Sequence, residues 1–189
     1  LSAGVSNEAQ GGNIIVAAGD STELTGGSVS IASGSSAQTS SGGVNIQTAN
    51  SGSEGSSGPV LVSTGVSSSG STGSIKVSTG EVNGGDDTSA GSIVLQIGAS
   101  TDEALAGNIA LKAGDSETST GGSIVMTSGQ SNQASSGPVS ISSGSAAEDS
   151  AASGPININT GVSSGDSGTI SLETGTSSSK SGGDISLSV

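Results

Sequence analysis

The chain has 189 residues, of which 34 are glycine and about a quarter are serine; it has no aromatic residue, no cysteine and no histidine, and its formal net charge is −13. Without Phe, Tyr or Trp it lacks the side chains that usually bury most area in a globular core. The charge repels nucleic-acid phosphates and anionic bilayers, and the longest apolar runs, such as Ile14 to Ala18, are too short to cross a membrane.

Gly/Ser-rich composition by itself describes a flexible linker. The order of the residues argues otherwise. An aliphatic residue recurs at Ile14, Val29, Val44, Val60, Ile75, Ile93, Ile109, Ile124, Val139, Ile156, Ile170 and Ile185, at spacings of 14 to 18 residues. Two positions later stands a second aliphatic, from Val16 and Ile31 through to Leu172 and Leu187. Two further on comes a mostly small residue, such as Ala18, Ser33, Thr48, Thr64 or Thr79. This period-two pattern, rich in β-branched residues, predicts a short strand with one buried face.

Glycine follows in nearly every copy, at Gly4, Gly19 and Gly34 through to Gly175, with Ala49 the exception. Two residues beyond lies a serine in ten of the twelve copies, Val82 and Ala146 departing. A Ser-rich return segment and a second glycine then lead into the next strand. Pro59, Pro138 and Pro155 share the slot between that glycine and the first aliphatic, where a residue without an N–H is tolerated.

The phase-locking predicts an all-β fold: a thin parallel β-solenoid (β-helix) of about twelve 15–16-residue coils, stacked to roughly 55–60 Å. Residues 1–189 form a single continuous repeat array in this reading. Glycines would supply the corners by adopting positive φ, which makes Gly129→Val costly and Ser135→Val nearly neutral. Lys76 and Lys112 would lie within strands and resist trypsin. Length variation falls in the returns, the longest being Glu81 to Ala90 and Ser145 to Ser153. Both ends of the chain fall within a repeat and neither carries a cap, so we expect a segment of a longer chain or filament, with self-association end to end.

Chemistry-bearing motifs are sparse. Carboxylate pairs occur at Asp86-Asp87, Asp102-Glu103 and Glu148-Asp149, but adjacent acids in return segments are not the opposed pair that glycosidase chemistry requires. We read them as solvated charges that keep the chain soluble. Asp20, Glu81 and Asp115 share one slot, yet the calcium-binding G-G-x-G-x-D nonapeptide is absent. An ice-binding face needs repeated T-x-T ranks, and only Thr118-Ser119-Thr120 has the spacing. The residue between the two aliphatics varies, from Ser30 and Asn45 to Leu61, Lys76 and Val94. Scattered apolar residues among these, Ile15, Leu61, Val94 and Val125, offer a route to lateral bundling. We expect no enzyme and assign no catalytic, cofactor-binding or metal-binding residue. Serines in the returns are available to O-linked glycans.

The phrases Gly27-Ser-Val-Ser-Ile-Ala-Ser-Gly34, Gly137-Pro-Val-Ser-Ile-Ser-Ser-Gly144 and Gly183-Asp-Ile-Ser-Leu-Ser resemble repeats in very large secreted fibrous proteins of diatoms and other marine microalgae. The resemblance covers essentially the whole chain. It implies an extracellular or cell-surface structural role as the shaft of an appendage, matrix or adhesive filament, and it brings no active-site residue. From a different class, the alternative is a binding rod, an adhesin or ice-binding solenoid, which would need one repeated chemistry on its outward rank.

Overall fold

A computed structural model describes residues 1–84, 88–101, 104–147 and 151–189. The chain divides into two units, Leu1–Leu95 and Gln96–Val189. Each holds six of the twelve aliphatic pairs.

The described residues contain no helix and no strand, which overturns the expected all-β solenoid. A parallel solenoid needs the N–H and C=O groups of each segment to pair with the copies before and after it. Only six main-chain hydrogen bonds form among the described residues, each lying within a single return. A folded chain of this length would carry on the order of 120 such bonds.

Surface area tells the same story. The chain exposes 18596 Å². A compact 17.4 kDa monomer would expose about 7,900 Å² and the fully unfolded chain roughly 25,000 Å². No described residue is buried, hydrophobic or polar.

The physical reason lies in composition. Two aliphatics per copy, with no aromatic anywhere, are too little apolar area to offset the ordering of a backbone with 34 glycines. The repeat is still written into the structure, but locally. The backbone bends over residues 7–9, 22–24, 37–39, 68–70, 117–119, 132–134 and 178–180, each time directly after the return serine, and runs without a bend through the aliphatic pairs.

Each bend has a side-chain acceptor. Ser6 Oγ accepts the Ala9 N–H at 2.9 Å, Ser21 that of Leu24 at 3.0 Å, and Ser116 that of Ser119 at 3.0 Å. Ser36, Ser67, Ser131 and Ser177 act alike on the residue three further on. This is the serine turn, in which a hydroxyl stands in for a backbone carbonyl. Seven of the ten return serines thus fix the bend of their own return.

The corner glycines also differ from expectation. Gly84 alone among the described glycines has positive φ, at 95°. A Cβ added at any corner glycine, from Gly4 to Gly175, would meet nothing within 4 Å. Steric restriction sits instead on the glycine that ends the return. At Gly12, Gly27 and Gly122 a Cβ would lie 3.2–3.3 Å from the Cβ of Ala3, Ala18 and Ala113.

Candidate functional surface

Five returns are closed by a bond from the second glycine to the first. In the first unit Gly12 donates to the Gly4 carbonyl at 3.0 Å, Gly27 to Gly19 at 2.9 Å and Gly42 to Gly34 at 2.9 Å. In the second, Gly122 donates to Gly114 at 2.9 Å and Gly137 to Gly129 at 3.0 Å. The residue before the corner glycine in these copies is Ala3, Ala18, Ser33, Ala113 or Ser128. Where it is threonine, at Thr48, Thr64, Thr79, Thr160 and Thr174, no such bond forms among the described residues.

All five closed returns have an eight-residue glycine spacing, and the Ser143 copy, with ten residues from Gly144 to Gly154, stays open among the described residues. Two threonine copies share the spacing of eight, Gly65 to Gly73 and Gly175 to Gly183, so length alone does not decide closure. Among returns of that spacing the open ones differ in carrying threonine. Thr64 Cγ2 stands 3.5 Å from where a Gly73 Cβ would be, and Thr79 Cγ2 stands 3.4 Å from that place at Gly91. Across the five threonine copies the methyl stands 3.4–3.9 Å from that place, against 3.2–3.3 Å for the alanine Cβ in three closed returns, so the closing glycine is held farther off where the side chain branches. Ile97, bulkier still, brings its Cγ2 to 3.0 Å at Gly107.

Pro138 fits this geometry, because the donor is Gly137 and the proline slot after it needs no N–H. Sequence reading fixed the register of these glycines but missed the bond between them. The available signal was the recurrent spacing of eight together with an unbranched small residue ahead of the first glycine.

The three carboxylate pairs, Asp86-Asp87, Asp102-Glu103 and Glu148-Asp149, lie outside the described residues. Among those described, no group of three acidic residues could hold a metal ion. Of the slot shared by Asp20, Glu81 and Asp115, Asp115 accepts an ion pair from Lys112 at 2.7 Å, both side chains remaining over three-quarters exposed. Such a pair contributes little in water. Thr118 and Ser119 fall in a bend, with the Ser119 N–H bonded to Ser116 Oγ, so the single T-x-T is a turn and not part of a flat face. Lys76 and Lys112 lie in unbent backbone outside any strand. No pocket is present among the described residues, and no helix is long and apolar enough to cross a membrane.

What the fold does present is a doubly periodic apolar surface. The first aliphatic of every copy is 51–57% exposed. The second is 64–74% exposed in eleven copies, Leu187 being more open. The apolar residues between them, Ile15, Leu61, Val94 and Val125, range from 74% to 85%. Exposure therefore alternates along each segment and repeats from copy to copy.

Charge is kept apart from this surface. Fourteen of the sixteen acidic residues lie in returns, Glu173 and Asp184 being the exceptions. No family model matches the chain, and no match is found among curated proteins or solved structures.

Proposed function

We propose that this chain is a structural module of an extracellular or cell-surface fibre. The observation that carries the reading is the uniform first aliphatic, half exposed to within a few per cent in all twelve copies. An active or ligand-binding site singles out a few positions and makes them unlike the rest. Here each copy repeats one environment, as a material that bears load or builds bulk along its length would require. The likeness of the Gly-Ser-Val-Ser-Ile phrases to secreted fibrous repeats supports the same reading, and Ser/Gly-rich returns that carry most of the acids suit a hydrated matrix.

The experiment is immunogold electron microscopy of the native material with antibodies raised against the 189-residue chain. Label distributed along extracellular fibres is the expected result. Label confined to the cell interior, or to dispersed protein in the medium, overturns the proposal.

A further inference from the structure

We propose that the paired aliphatic ranks are the contact surface for a second copy of this chain. The inference names the partner within the fibrous reading above and rests on that reading only for its biological setting.

Area comes first. A buried Val, Leu or Ile removes about 60–120 Å² of apolar surface from water, the range that 25 cal/mol per Å² implies. With half to three-quarters of each side chain open, the six pairs of one unit offer on the order of 700 Å². A standard stable interface takes about 800 Å² from each partner. One unit approaches that requirement, and the two supply about twice one unit's share.

Pattern comes second. A partner that covers six equivalent pairs must present apolar groups with the same recurrence, or most of the pairs stay wet. This chain presents that recurrence itself. A globular partner with a single apolar patch would match one or two copies and leave the others exposed.

Charge comes third. At a net charge of −13, two copies repel one another unless their carboxylates stay out of the contact. The acids are concentrated in the returns, while the segments from Val29 to Ile31 and from Val60 to Val62 carry none. Segment-to-segment approach therefore buries aliphatic carbon and leaves the acids in solvent. The row of side chains between the ranks is less suited: Ser30, Asn45 and Lys76 interrupt any continuous apolar line there.

Sedimentation equilibrium of the intact chain across a concentration series tests the proposal. We expect reversible self-association. Replacing three second-rank residues, Ile31→Ser, Ile46→Ser and Val62→Ser, should weaken it by ~10-fold or more, whereas Ile15→Ser, Leu61→Ser and Val94→Ser should change it less than about threefold. Because none of these side chains is buried, their removal leaves the bends intact, which the Leu24 and Gly27 amides report. A second measurement needs no variant. In a mixture of ¹³C-methyl-labelled and unlabelled copies, intermolecular NOEs should appear at the Ile75 and Ile124 methyls and be absent at Leu24 and Val66.

A chain that stays monomeric to about 1 mM overturns the surface, as do equal effects of the two triple variants or NOEs centred on Leu24 and Val66. Any of these leaves the fibre reading standing, since other contacts can hold a fibre together. Failure of the antibody label overturns the fibre reading without touching the surface.

Discussion

Gly27 donates its backbone N–H to the Gly19 carbonyl at 2.9 Å, in a position where a Cβ on Gly27 would stand 3.2 Å from Ala18 Cβ and from the Gly19 nitrogen. The two glycines of a return are therefore not equivalent. Gly19 is needed for little that its own side chain would disturb, while Gly27 is needed because it has none. Gly27→Ala should open the return and Gly19→Ala should leave it closed. Losing one such bond is worth about 0.5–1.5 kcal/mol, so exchange of the residue-27 amide should speed up by several-fold to roughly tenfold in the first variant and hardly change in the second. Equal exchange in both variants would contradict the assignment.

In returns of eight-residue glycine spacing, the residue before the corner glycine sets whether the return closes, and the swap can be made in both directions. Ala18→Thr should break the bond from Gly27 to Gly19. Thr64→Ala should create one from Gly73 to Gly65, since that return already has the eight-residue spacing of the closed copies. Amide temperature coefficients at Gly27 and Gly73 report the two outcomes. A Gly73 amide that remains solvent-bonded in Thr64→Ala would show that something other than the threonine methyl holds the return open.

Register, slots and the placement of length variation were legible in the sequence, because period-two aliphatics, glycines and prolines each mark position by a local rule. The serine rank was legible too, though not its partner, which turned out to be an amide only three residues away. What the pattern could not decide was whether copies pair with one another. That outcome depends on a balance between apolar area and chain entropy, and twelve pairs such as Val29 and Ile31 fall on the short side of it. The glycine corners misled for a related reason. Glycine can adopt positive φ, but at Gly19 or Gly129 nothing in the fold requires it to.

The bends depend on a single hydroxyl each. Ser116→Ala removes the acceptor of the Ser119 N–H, an exposed bond, and should cost about 0.5–1 kcal/mol of local bend population. Chemical shifts of residues 117–119 should move toward those of the unbent segments. Ser135→Ala, outside the bend at 132–134, serves as the control and should leave shifts at residues 117–119 unchanged. Unchanged shifts in Ser116→Ala would mean that the bend precedes its hydrogen bond.

Trypsin has three sites, Lys76, Lys112 and Lys180. With no strand around Lys76, the dilute chain should be cut there readily, since a protease binds extended backbone that need not first be opened. Lys76 stands between Ile75 and Val77, both on the proposed contact surface. Cleavage at Lys76 should therefore slow as protein concentration rises, while cleavage at Lys180, in a return bend, should hold its rate. Protection of all three sites to the same degree would point to a general loss of protease access and against contact through the aliphatic segments.

Salt separates an apolar contact from a charged one. If copies meet through Val29, Ile31 and their equivalents, the electrostatic contribution is repulsion between acidic returns, with Glu8, Asp20, Glu23 and Asp115 among the groups responsible. Screening weakens that repulsion: the Debye length falls from about 10 Å at 0.1 M to about 3 Å at 1 M. The aliphatic contribution is not screened at all, and strongly hydrated salts such as sulfate enhance it. Self-association should accordingly tighten as sodium chloride is raised from 0.05 to 0.5 M (about a threefold fall in the Debye length) and tighten further in sulfate of equal ionic strength. The Lys112–Asp115 pair gives the internal control, because it lies within one chain and its loss in salt should not weaken the assembly. Association that loosens with added salt would require lysine-to-carboxylate bridges between copies, and with only three lysines on the chain that outcome would displace the aliphatic ranks as the contact.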